Sequence, residues 1–238
     1  MNWKDMNIPN TLTVLRVISV PFFIYFLLSH SMTLRIVAFS LFALASLTDL
    51  VDGYLARRLN QETEFGKFLD PLADKFLVLG AFITFLFMTE QTQVWMVLCI
   101  VGRDMLITAL RYLAIWKGKS MRTSRFGKIK TAFQMFAILV ILLSFVMITY
   151  KERGVINQMY LEGAAQGISS FQMATRSFFE FIERPGENFF FGLSSFLPYF
   201  LMLLTTIITV ISGLRYIYSN YQLLLPPWRS LKNNQEKL

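Results

Sequence analysis

The sequence predicts an all-α, polytopic membrane protein of six transmembrane helices. Of its 238 residues 55% are apolar and only 16% charged, and the mean hydropathy is +0.49. Six apolar runs have the roughly 20-residue length that crosses a bilayer. The Lys and Arg residues gather in alternate short connections, as a chain that weaves through a membrane requires. A disordered chain would need low hydrophobicity and high charge, and a single Cys excludes a disulfide scaffold. The net charge of +8 sorts loops to the cytoplasm in so apolar a chain, so no nucleic-acid partner is expected.

The first span is expected over Thr11–Leu28, bent at Pro21, with no small-residue cleavage site after Leu28. The second covers Leu34–Leu59, the third Leu69–Met88, the fourth Val94–Trp116, the fifth Ile129–Tyr150 and the sixth Phe196–Ser219. Between spans two and three lie Arg57, Arg58 and Lys67. Between four and five lie Lys117, Lys119, Arg122, Arg125, Lys128 and Lys130. The connections Ser29–Thr33 and Thr89–Gln93 carry neither Lys nor Arg, and the C-terminal tail adds Arg229, Lys232 and Lys237. The pattern places both termini in the cytoplasm.

The whole chain, 1–238, reads as one membrane domain with an extracytoplasmic insertion at 151–190. Within it, Ile168–Ile182 sets Phe171, Phe178, Phe179 and Phe181 among Gln, Arg and Glu, the pattern of a helix lying on a membrane surface.

Carboxylates are costly inside a bilayer, at about 2.5–3.5 kcal/mol for a mid-span aspartate. Asp49 and Asp52 nevertheless lie near the end of the second span, and Asp70 and Asp74 open the third. Asp49, Asp52, Gly53 and Ala56 fall on one helical stripe, and Gly66, Asp70 and Asp74 on another. A tight turn brings the stripes face to face, and the small residues admit a close approach. Clustered carboxylate oxygens suit hard divalent cations such as Mg²⁺ or Mn²⁺, which commonly share ligands with substrate phosphates. No His or Cys stands near enough to favour zinc. Arg57, Lys67 and Lys75 flank the cluster and add phosphate-binding charge. The residues alone therefore point to metal-assisted phosphoryl chemistry at the cytoplasmic edge of the bilayer.

The spacing D-x2-D-G-x2-A-R-x8-G-x3-D-x3-D, filled by Asp49, Asp52, Gly53, Ala56, Arg57, Gly66, Asp70 and Asp74, matches the signature of the CDP-alcohol phosphatidyltransferases at all eight positions. What this resemblance implies is specific. Two divalent cations sit among Asp49, Asp52, Asp70 and Asp74 and hold the pyrophosphate of a CDP-linked lipid. Asp74 doubles as general base for the attacking hydroxyl. Gly53, Arg57 and Thr63 meet the CDP group, and the in-line displacement at the β-phosphorus releases CMP.

The acceptor is read from the rest of the chain. The stretch Asn7–Arg16, the run Gly66–Lys75 and the blocks Gly102–Ala114 and Thr123–Met135 resemble the bacterial phosphatidylglycerophosphate synthases. The substrates implied are CDP-diacylglycerol and sn-glycerol 3-phosphate, in the bacterial inner membrane among its lipids, with a homodimer by analogy. Arg103 and Arg111, eight residues apart on the fourth span, need partners, and with Lys75 and Lys128 they suit the phosphate of such an acceptor. Asn10, Thr13 and Arg16 open the first span. In one reading they reach the nucleotide; in the other Asn10 is an N-cap after Pro9 and Arg16 snorkels to the interface.

Three other readings stand beside this one. A cardiolipin synthase-type enzyme takes phosphatidylglycerol as acceptor. A divalent-cation transporter needs polar residues along a whole path, whereas Phe82–Phe87 and Ile138–Phe145 are plainly apolar. A catalytically dead scaffold sits poorly with an intact motif.

Overall fold

The computed structural model describes residues 8–59, 64–116, 125–184 and 188–224; within these, the side chains of 8–10, 12, 49–59, 64–72, 74, 115, 125, 126, 128 and 221–224 lie outside the description. Among the described residues the chain is entirely helical: α1 (Ile8–Leu28), α2 (Met32–Leu59), α3 (Glu64–Met88), α4 (Val94–Trp116), α5 (Arg125–Met147), α6 (Tyr150–Ala165), α7 (Ser170–Glu183) and α8 (Phe189–Leu224). Helices α1 to α5 and α8 coincide with the six apolar runs. Helix α1 continues through Pro21.

Helix α1 packs on α2 and α3, α8 packs on α4, α5 and α7, and α5 joins the two groups through α2 and α3. Every helix contributes to one buried core, in which Phe23, Phe42, Phe85, Ile138, Phe145 and Met202 are almost wholly enclosed. Close approach of α1 and α3 depends on Gly80, where a Cβ would stand 3.2 Å from Val20. The outward faces are also apolar, with Phe22, Leu44, Phe87, Leu98, Leu143 and Ile207 exposed. So wide an apolar surface is foreign to a water-soluble monomer and fits a lipid environment. By length and composition, Ile129–Met147 and Phe189–Asn220 are the stretches of the described residues able to cross a membrane, and Thr13–Leu28, Met32–Thr48 and Lys75–Met88 are shorter apolar helices. The apolar sequence of α4 is interrupted by Arg103, Asp104 and Arg111, while the helix itself runs unbroken.

The segment between α5 and α8 is a helical hairpin. The amphipathic pattern predicts α7 well, whereas α6 has no apolar stripe to announce it. Its start is a reciprocal cap: Thr149 Oγ1 accepts from Glu152 N at 3.2 Å, and Glu152 Oε2 accepts from Thr149 N at 2.7 Å. Ser169 and Gln172 repeat the device at the start of α7. Between the helices Gly167 takes φ +77°, and the Ile168 amide donates to Gly163 O at 2.9 Å, the left-handed helix ending that glycine permits. Helix α8 runs 36 residues, seven before the predicted start of span six, and the extra turns pack against α7.

Pro198 lies inside α8. Having no N–H, it leaves the Ser194 carbonyl without its helical donor. Gln91 Nε2 donates to Ser194 O at 3.0 Å and Ser195 O at 2.5 Å, and the Tyr160 hydroxyl donates to Ser195 O at 2.9 Å. Burial pushes the Tyr160 phenol well up, which keeps it a neutral donor.

Candidate active site

Helices α2 and α3 are joined across residues 60–63, and their lengths set the height of each aspartate along its helix. Asp49 lies ten residues before the end of α2 and Asp74 ten residues after the start of α3; Asp52 and Asp70 lie seven and six residues away. At 1.5 Å per residue the members of each pair stand at nearly equal distance from the connection. An all-oxygen donor set of this kind suits Mg²⁺ or Mn²⁺. The side chains of Asp49, Asp52, Gly53, Arg57, Asp70 and Asp74, and those of Asn10 and Lys128, lie outside the described residues, as does Thr63 altogether. Elsewhere, among the described residues, no cluster of His, Cys, Asp or Glu is large enough to hold a metal.

Thr13 and Arg16 on α1 are both buried, at 1% and 4% exposure. Asn10 falls inside the first turn of α1 rather than at its cap, because the helix begins at Ile8. Arg16 is enclosed, so it is not a snorkelling side chain.

Lys75, the residue after Asp74, donates to the hydroxyl of Thr108 on α4. Thr108 Oγ1 in turn donates to the Asp104 carbonyl at 2.6 Å. One turn back, Arg103 Nη1 donates to Asp104 Oδ1 at 2.9 Å, and Nη2 donates to Ser212 Oγ of α8 at 2.9 Å. Lys130 of α5, 4% exposed, closes on both oxygens of the same carboxylate at 2.6 and 2.5 Å. Gly213 makes room for this: a Cβ there would stand 2.8 Å from Arg103 Cγ. A polar chain thus crosses α3, α4, α5 and α8 at the level of the third-span aspartates. It contains two cations bound to one carboxylate, and a buried charge persists only with such compensation.

Arg103 and Arg111 are not placed alike. Arg103 faces α8 and is held on two sides, whereas Arg111 is exposed. The sequence offers Asp104 only as a partial partner of Arg103; the joining of Asp104 with Lys130, Thr108 and Ser212 was not read from it. The available signal was a carboxylate inside an apolar span, which demands a partner.

The family model of the CDP-alcohol phosphatidyltransferases matches residues 6–166, which includes the whole of α1 to α5 and all of α6. A Pseudomonas fluorescens protein named CDP-diacylglycerol–glycerol-3-phosphate 3-phosphatidyltransferase is 44% identical over 147 residues, covering 58% of this chain and 72% of its own. Proteins of the same name from Bacillus subtilis (strain 168) and Salmonella typhimurium (strain LT2) are 40% and 41% identical, over 58% and 56% of this chain and 77% and 75% of theirs.

Proposed function

Because the chain belongs to the CDP-alcohol phosphatidyltransferase family, we propose that Asp49, Asp52, Asp70 and Asp74 hold two divalent cations, Mg²⁺ or Mn²⁺, against the pyrophosphate of a CDP-linked lipid. The enzyme transfers the phosphatidyl group of CDP-diacylglycerol to sn-glycerol 3-phosphate, giving phosphatidylglycerophosphate and CMP. The observation that carries the site assignment is the eight-position motif set on α2 and α3, with its aspartates at matched heights from the connection.

The cations supply charge neutralisation and alignment for the transferred phosphoryl group. The rest is work for side chains. Gly53, Arg57 and Thr63 receive the CDP moiety, with Asn10, Thr13 and Arg16 of α1 beside it. Asp74 takes the proton from the primary hydroxyl of glycerol 3-phosphate. The freed oxygen bonds to the β-phosphorus while the bond to the bridging oxygen breaks, and that oxygen departs with CMP. Arg111, Lys75 and Lys128 meet the acceptor phosphate, and Arg103 frames the same pocket from its station on Asp104.

Six spans with both termini in the cytoplasm put the basic connections and the aspartates on the cytoplasmic side, where glycerol 3-phosphate is dissolved. The α6–α7 hairpin then lies outside, with the Phe face of α7 on the membrane. The chain works as one domain, in a bacterial inner membrane, as a homodimer. An acceptor panel tests the reading: purified enzyme, CDP-diacylglycerol, Mg²⁺ or Mn²⁺ and one alcohol at a time, with CMP release as readout. Glycerol 3-phosphate is the expected acceptor. A preference for phosphatidylglycerol would make this a cardiolipin synthase-type member.

A further inference from the structure

At the end of α2 far from the aspartates, two arginines lie side by side in the interior. Arg35 is 2% exposed and Arg153 5%. Arg35 Nη1 donates to the carbonyl oxygens of Phe145 at 2.5 Å and Ile148 at 3.0 Å. It thereby caps the last turn of α5, whose unpaired carbonyls favour a cation. Its Nε is enclosed and meets no acceptor among the described residues. Arg153 of α6 is less well served. Its guanidinium stands 5.6 Å from the Phe145 ring centre and 5.3 Å from that of Tyr150, and its enclosed Nη1 also meets no acceptor among the described residues.

Burial, and after it the charge of Arg35, hold Arg153 down to about 10, so Arg153 carries its charge at neutral pH. Glu152, next to Arg153 in the chain, is engaged with the amide and hydroxyl of Thr149. Neither arginine forms an ion pair among the described residues. Buried charges are ordinarily paired, and a guanidinium fork matches phosphate oxygens in particular.

We propose that Arg35 and Arg153 form a binding site for a phosphate group, at the end of the bundle opposite the aspartates. Arg35 precedes Asp49 by fourteen residues on one helix, about 21 Å along its axis, so this phosphate is not the transferred one. The surroundings favour an anionic phospholipid as its bearer. The rings of His30 and Tyr150 meet edge-on at 4.0 Å beside the pair, and Tyr150, Ile36, Val37 and Met147 present exposed apolar surface around it. Aromatic side chains of this kind collect where acyl chains give way to headgroups. The topology proposed above enters only in making this the outer leaflet.

The test is lipid-dependent stability of the full chain in detergent, with phosphatidylglycerol, phosphatidylcholine or inorganic phosphate added in turn. Phosphatidylglycerol is expected to raise the unfolding temperature of the wild type, and native mass spectrometry to show the lipid retained. Arg153→Gln should weaken that binding about ten- to a hundredfold while keeping CMP release, which shows the variant folds; Arg153→Lys should restore part of it. A shift produced by inorganic phosphate and lost in Arg153→Gln supports the same site with a free anion as its occupant. An equal shift in wild type and Arg153→Gln, or none with either phosphate source, overturns the proposal whatever the acceptor panel returns.

Discussion

Lys130 and Asp104, twenty-six residues apart and on different helices, form a bidentate ion pair with both contacts at or below 2.6 Å. Lys130 is 4% exposed and the Asp104 side chain 23%. Asp104→Ala would leave Lys130 and Arg103 facing each other without the carboxylate. Breaking a buried pair costs about 3–5 kcal/mol, and the exposure of Asp104 puts this one toward the lower end. The double variant Asp104→Ala/Lys130→Met should be more stable than Asp104→Ala alone. Thermal unfolding of the four proteins in the cycle checks it, and additive losses would mean the pair is not coupled.

Asp49→Ala, Asp52→Ala and Asp70→Ala should each abolish CMP release while the protein still inserts and purifies. The expectation rests on their matched positions on α2 and α3. Metal titration followed by turnover is the measurement, and near-normal activity in any of the three removes that residue from the ligand set.

Asp74→Asn should keep binding CDP-diacylglycerol and lose about 10²–10⁴ in kcat. The amide preserves the side-chain shape and cannot accept the hydroxyl proton. An unchanged kcat with a raised KM would make Asp74 a binding residue only.

Arg111 is exposed and Arg103 is tied to Asp104 and Ser212, so their alanine variants should part company. Arg111→Ala should raise the KM for glycerol 3-phosphate about ten- to a hundredfold, the worth of a charge-assisted contact, with a smaller change for the lipid donor. Arg103→Ala should also lower the unfolding temperature. Steady-state kinetics with each substrate varied, beside a melting curve, separates the two effects; equal behaviour in both assays would reject the distinction.

Glu152 is held below the usual carboxylate range, first by the Thr149 amide and then by the Thr149 hydroxyl. A depressed folded-state value means stability that is present above the unfolded pKa and lost as pH falls through the folded one. Helix α6 should therefore fray below about pH 4, and Glu152→Gln should flatten that dependence. Hydrogen exchange at the first amides of α6, measured against pH, would register the change; identical profiles in both proteins would refute it.

The helices α1 to α5 and α8 were legible because long apolar runs mark them, and the motif stands out in the sequence because aspartates at helical spacing contrast with Leu and Phe. Helix α6 was not, since its hold on the helical state comes from Thr149, Glu152 and Gly167 at its two ends rather than from a stripe. Asp104 illustrates a different limit. Viewed along α4 alone it points about 100° from Arg103, yet the long guanidinium arm bends back to it and Lys130 arrives from another helix. The burial of Arg35 was equally invisible, because its acceptors are carbonyls 110 and 113 residues downstream.

The missing amide hydrogen of Pro198 in α8 bears on how this protein can be shortened. The donor answering Pro198 at Ser194 O is Gln91, in the turn between α3 and α4, while Tyr160 of the hairpin reaches only the next carbonyl, Ser195 O, which Gln91 also meets. Replacing residues 150–187 with a short linker would strip one of these donors from an oxygen in the apolar interior. Gln91 would still serve both carbonyls, including the one Pro198 orphans, so Pro198 itself places no demand on the hairpin and can stay in a shortened chain.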